Sequence, residues 1–188
     1  MEVFTDFVDE HEDCAVNYIG KPLFPIFGTD ATYLCIVGDW EEKTPSPIFY
    51  VSEIIETNHS FVSLASMMLT AAESLQANAI DFSKGYAEWD DEKCSPIYLK
   101  YNSNILELSV KALKQHLLIA EPDSVAEEKA KNTFECDIHI LDWKRRNLSS
   151  RQLDSEIVEP LIIALEDEDK RVRNLTRWGL EELEYKFE

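Results

Sequence analysis

The sequence predicts an α+β protein: a small, mostly antiparallel sheet with a helix packed on one face, followed by a helical C-terminal region. Three observations carry this. Two short β-branched apolar runs lie at hairpin distance in the first third, residues 32–37 and 47–51. The apolar spacing then changes from two to three and four near residue 60, and beyond residue 104 it stays largely helical.

Taken in order, the chain opens with Glu2, Asp6, Asp9, Glu10, Glu12 and Asp13 and no Lys or Arg in its first twenty residues. Val3, Phe4, Phe7 and Val8 interleave with those acids, a pattern unlike a purely disordered tail. Pro22 and Pro25 bracket an expected turn. Thr32 to Val37, bounded by Gly28 and Gly38, reads as a buried strand, and Pro47 to Val51 as its antiparallel neighbour. From Ser60 to Ala77 an amphipathic helix is expected, with Phe61, Leu64, Ala65, Met68, Ala71, Ala72 and Leu75 facing the sheet. Met67 and Met68 on it serve as core filling on this reading, the alternative being an adaptable binding groove.

Ile80 to Asp91 lacks clean periodicity and reads as a loop with at most a short strand. Cys94 to Asn104 carries the turn formers Pro96 and Asn102-Ser103-Asn104. Ile105 to Ile119 is a helix with Leu106, Val110, Leu113 and Leu117 on one stripe, ended by Glu121 and Pro122. Ser124 followed by Glu127 has the form of a capping box, starting a helix expected to reach about Phe134. Asp137 to Trp143 fits a strand or a helix end. Asp154 to Leu165 and Lys170 to Phe187 are helices joined by the short acidic link Glu166 to Asp169, hence an antiparallel hairpin.

With 188 residues, 45% apolar, the chain can bury a substantial core. The expected division is 1–105, α+β, and 106–188, helical. No apolar stretch approaches the length of a membrane span, and acids stand where a secretory signal would place bases, so the expected compartment is the cytoplasm. Cys14, Cys35, Cys94 and Cys136 are scattered singly and read as buried thiols in a reducing compartment.

The net charge of −19 repels phosphate backbones and anionic lipid and attracts cationic proteins, so neither nucleic acid nor membrane is the expected partner. The imbalance is greatest in residues 1–100, with 18 acids against 5 bases. No nucleophile elbow, phosphate loop, HExxH helix or EF-hand loop occurs, and His11, His59, His116 and His139 are far apart, so no cofactor, metal or catalytic residue is assigned. Asp137 and His139 would share a face if their segment were a strand. Lys144-Arg145-Arg146 beside Trp143 reads as a helix-end complement or a partner to local acids, with phosphate contact as the weaker alternative.

Residues about 20 to 105 resemble the SUKH superfamily of bacterial immunity proteins and fungal cell-wall regulators. The resemblance rests on the order of PLFPIFG (Pro22 to Gly28), TYLCIV (Thr32 to Val37), SPIFYV (Ser46 to Val51), the helix FVSLASMMLTAAESL, the aromatic-acidic stretch Gly85 to Asp91 and KYNSN (Lys100 to Asn104). Ser103 stands where the family usually has proline, and the family's N-terminal helical segment has no clear counterpart. The C-terminal segment VEPLIIALEDEDKRVRNLTRWGLEEL resembles one HEAT-like repeat, with Leu161, Leu165, Asp167, Val172, Arg173 and Leu180 at its offsets. A single such pair must dock on the rest of the chain or on a partner.

The SUKH resemblance implies an immunity protein that neutralises a toxin, often a nuclease. Acidity adds a separate reason, because basic clefts steer acidic inhibitors to themselves. The expected function is therefore non-catalytic binding of a cationic protein, a basic toxin among the candidates. The alternative is a scaffold or regulator that recruits a partner through the C-terminal helices. The expected contact residues are Asp39, Trp40, Glu41 and Glu42 in one loop and Trp89, Asp90, Asp91 and Glu92 in another. Both tryptophans fit an interface anchor or the core equally well.

Overall fold

The computed structural model describes residues 17–18, 21–29, 32–37, 45–52, 58–85, 87–147 and 155–185. Five strands form an antiparallel meander in sequence order: β1 (Asn17–Tyr18), β2 (Lys21–Thr29), β3 (Thr32–Val37), β4 (Ile48–Ser52) and β5 (Asn58–Phe61). Tyr33 and Cys35 alternate inward on β3 and meet Leu23, Phe49 and Val51 from the flanking strands in a small sheet core. Gly28 lies opposite Tyr33, and a Cβ there would come within 2.8 Å of the tyrosine ring, so the glycine makes room for the aromatic across the ladder.

The expected turn around Pro22 and Pro25 is instead the nine-residue strand β2. Proline removes a ladder donor and is confined to edges and bulges. Here β1 covers only Lys21 and Pro22 of β2, and the register with β3 shifts between Pro25 and Phe27. Pro25 thus sits at the irregularity, where a missing N–H costs little, and Pro22 lies before the first pair that β2 makes with β3.

Six helices make up most of the rest of the described residues: α1 (Leu64–Gln76), α2 (Asp91–Tyr101), α3 (Ile105–Ile119), α4 (Val125–Arg146), α5 (Ser155–Ala164) and α6 (Lys170–Glu182), with a two-stranded hairpin, β6 (Ile80–Asp81) and β7 (Glu88–Trp89), between α1 and α2. The α+β class is as expected. Three of the helices differ from expectation. Helix α2 runs straight through Pro96, with Asp90 as its N-cap accepting from the Lys93 amide. Helix α4 begins at the Ser124 cap, and the Glu127 carboxylate accepts from the amide of Asp123 rather than of Ser124. It continues past Phe134 to Arg146, so Asp137 to Trp143 is helical.

The third difference is the setting of α1. Its buried residues are Ser66, Thr70 and Ser74, not the apolar stripe. Among the described elements, helix α1 packs chiefly on α2 and touches the sheet at β5. Polar ties fix that orientation: Thr70 donates to the Ser66 carbonyl, Asn102 Nδ2 donates to Thr70, and Asn102 Oδ1 accepts from the Val62 amide. Glu73 bonds both Lys100 and Tyr101.

The main core lies among the helices, where Leu106, Leu113, Leu117, Phe134, Ile138, Leu141, Val158, Leu161, Val172 and Leu180 are almost wholly enclosed. Gly179 lets α6 approach α4 closely, its added Cβ lying 3.0 Å from Ile138. The C-terminal hairpin docks within the chain. Arg171 donates to the Leu117 and Ala120 carbonyls at the end of α3, and Lys114 pairs with Asp167 at 2.6 Å. An arginine on those carbonyls satisfies acceptors the helix leaves open.

Sheet and helices are joined by one buried cluster. Asp137 on α4 accepts from the His59 amide and bonds His59 Nδ1, both at 2.7 Å, and accepts from Ser109 Oγ on α3 at 2.5 Å. All three side chains are buried, and the Phe49 ring lies 4.6 Å from the imidazole. Asp137→Ala is expected to cost about 3 kcal/mol in urea unfolding, because it takes the acceptor from the buried His59 amide and breaks the buried contact with the imidazole, while Ser109 can turn to the Ile105 carbonyl. Asp137→Asn, which keeps an acceptor, should cost less.

Burial pushes the Cys35 thiol up to about 12 and raises that of Cys94 as well. At pH 8 only about one Cys35 in ten thousand would be thiolate, so a thiol reagent should leave Cys35 and Cys94 unmodified until denaturant is added. Half-buried Cys136 should label first of these three.

Candidate functional site

Of the expected contact residues, Asp39, Trp40, Glu41 and Glu42 lie outside the described residues. The other four are placed together. In the β6–β7 hairpin Ile80 pairs with Trp89 and Asp81 with Glu88, and the Asp90 amide donates to the Ala79 carbonyl at 2.8 Å. The Cys94 thiol reaches the same carbonyl, so the start of α2 is stitched to the hairpin. Trp89 is 56% exposed, which decides between its two readings: it is a surface residue, not core. Asp90 caps α2, and Asp91 and Glu92 occupy its first turn, where the helix dipole favours them.

A shallow cleft of about 490 Å³ is lined by Ala79, Ile80, Asp81, Glu88, Trp89 and Asp90, with Asn78 and Lys93 at its ends. The Ser83 amide and hydroxyl hold Asp81 below the usual carboxylate range, and the bond to Lys93 does the same for Asp90. Both therefore stay ionised at neutral pH. Lys84 pairs with Glu88 and Lys93 with Asp90, each at 2.7 Å and each solvent-exposed. Such pairs are worth little and exchange readily for a partner's cation. An exposed indole edged by ionised carboxylates suits a lysine or arginine side chain, through cation–π contact and charge pairing.

The basic run at the end of α4 is committed locally. Arg145 is buried against Asp142 and reaches Glu184, Arg146 bonds Asp142, and Lys144 lies over the Trp143 and Tyr98 rings at 4.3 and 5.0 Å. Burial raises the Asp142 carboxyl, but the two arginines outweigh it and hold the group below its ordinary value. This is the partner-to-local-acids reading of Lys144-Arg145-Arg146.

Asp137 and His139 do not share a face. Two residues apart on a helix, Asp137 points into the joint with His59 while His139 is exposed and meets Trp178 edge-on. The serine, aspartate and histidine of the joint include the residue types of a nucleophilic triad but stand in another order. The carboxylate sits between hydroxyl and imidazole, so the Ser109 proton faces Asp137 and not a base that could carry it away.

Two surfaces lie where sequence reasoning did not put them. One is the outward face of α1, whose apolar period was visible but whose direction was not: Met68, expected as core filling, is exposed there. The other is an open groove of about 760 Å³ between α3 and α5, where Val110, Ile157, Pro160 and exposed Ile163 meet Glu107, Lys111, Lys114 and Glu159. Its signal was Ile163, an apolar residue off the inward stripe of α5. No described helix is long and apolar enough to cross a membrane. No family model, no curated protein and no solved structure matches this chain, so the functional reading rests on the geometry of the hairpin and the charge around it.

Proposed function

We propose that this chain is a non-catalytic protein-binding module for a cationic partner, acting in the cytoplasm as an immunity protein against a basic toxin such as a nuclease. The observation that carries the reading is Trp89, a large aromatic held out in water on a two-strand hairpin amid Asp81, Glu88, Asp90, Asp91 and Glu92. Burying an exposed tryptophan within a ring of complementary charge is how interfaces concentrate binding energy. The net charge of −19 supplies long-range attraction to such a partner, and the SUKH resemblance of residues 20 to 105 implies the same activity.

The test is to express the product of the neighbouring upstream reading frame, assay its nuclease activity and titrate in this chain. Stoichiometric inhibition that weakens steeply between low and high salt is expected. Trp89→Ala should raise Kd roughly 30-fold, the size of a hot-spot truncation, and Asp81→Asn with Asp90→Asn should mainly slow association. Inhibition insensitive to salt and to Trp89 would refute the reading.

The groove between α3 and α5 favours a second reading, a scaffold that recruits a partner through its helical part. Deleting the hairpin cannot test it, because Val158, Leu161, Val172 and Leu180 belong to the core and Arg171 caps α3. Ile163→Asp is the better probe. On this reading it lowers partner affinity at least tenfold with an unchanged melting curve, while Trp89→Ala has no effect.

A further inference from the structure

Helix α1 is set with its polar side in and its apolar side out. Leu64, Met68, Leu69 and Leu75 are each between 45 and 62% exposed, and Ala65 and Ala72 are exposed among them. At 3.6 residues per turn these six cover about 140° of arc, which contains no charged residue. The face is held outward. Turning it inward would break the contacts of Thr70 with Asn102 and of Glu73 with Lys100 and Tyr101. It would also disturb the reciprocal Ser63–Ser66 cap that starts the helix. The exposed apolar surface is roughly 400 Å², a patch of the size that marks interaction sites.

We infer that this face of α1 docks an amphipathic basic helix of a protein partner. The stripe is one helix wide, the form that receives leucine-type anchors spaced three and four apart. Charge sets the sign of the partner's flanks. On α1, the hairpin and α2 the chain carries Glu73, Asp81, Glu88, Asp90, Asp91 and Glu92 against Lys84, Lys93 and Lys100, which pair with Glu88, Asp90 and Glu73 and leave an acidic excess. Helix α1 has no base of its own in its last turn and runs into the acidic hairpin, which adds to the negative potential at that end.

Other occupants fit less well. Two copies joined through α1 would bury only about 800 Å² in total, the range of lattice contacts, and would bring together two bodies of net charge −19. A helix lying on a lipid surface carries lysine or arginine beside its apolar face, and α1 has neither. The inference rests on the cationic-partner reading and adds where, and in what form, that partner binds.

The test uses the full chain and a labelled synthetic peptide of about 18 residues, with leucines on one helical face and lysines on the other, followed by fluorescence anisotropy at physiological salt. A scrambled peptide of the same composition is the control. The helical peptide is expected to bind at least tenfold more tightly than the scrambled one. The double variant Met68→Glu and Leu69→Glu is expected to bind it at least tenfold more weakly, although it makes the chain more acidic; charge attraction alone would strengthen binding. Met68→Gln, which removes apolar surface without adding charge, should give a smaller loss in the same direction and serves if the double variant melts early. Equal binding of both peptides, or tighter binding by the glutamate variant, overturns the inference. So does a dimer in sedimentation that Met68→Gln dissolves. If Trp89→Ala abolishes peptide binding and the α1 variants do not, docking at α1 is overturned while the cationic-partner reading stands.

Discussion

The attachment of the sheet to helices α3 and α4 depends on one buried carboxylate. Asp137 accepts from a backbone amide and a hydroxyl and bonds an imidazole, and these come from β5 and α3 while the acid itself sits on α4. Without it, the sheet core of Leu23, Tyr33, Cys35, Phe49 and Val51 and the larger helical core would meet mainly through Phe61, Val62 and their neighbours. A buried acid is expensive to desolvate, and three directed bonds offset that cost only in one geometry. The cluster therefore fixes how the two halves sit together more than it adds to their total stability.

The same logic of polar specification recurs at Asn102. Its amide bonds Val62, Tyr98 and Thr70, so one side chain locates the exit of β5, the end of α2 and the middle of α1. Lys100 and Tyr101 beside it hold Glu73. Three consecutive residues of the KYNSN segment thus act as fasteners between elements, which gives a physical reason for that run to occur as a unit. A consequence is the inverted setting of α1, because the polar fasteners outrank the apolar stripe in deciding which side faces in.

Much of the architecture was legible in the sequence. Strand β3 and helix α3 fall where their periodicity put them, and the Ser124 cap starts α4 as its spacing required. What was not legible has particular causes. Pro22 and Pro25 read as turn formers because local rules cannot see that the partner strand is short and the register slips. Helix α4 looked finished near Phe134 because its later buried positions include the polar residues Asp137, Asp142 and Arg145, which interrupt the apolar stripe; Asp137 finds its partners at His59 and Ser109, whereas Asp142 and Arg145 pair with each other. The face of α1 could not be assigned because a period gives spacing, not direction. Of the eight expected contact residues, Trp89, Asp90, Asp91 and Glu92 lie together because they are contiguous in the chain.

The joint at Asp137 also favours one order of events in folding. His59 and Asp137 are 78 residues apart, whereas the α3–α4 and α5–α6 pairs close over short links. Closing a long loop costs entropy before any bond rewards it, and contacts of high sequence separation are slow to form. The helical hairpins and the β-meander are each built from neighbouring segments and can assemble first, leaving the sheet to be fastened to the helices late. The side chains that complete the structure are thus the ones whose partners must travel farthest along the chain.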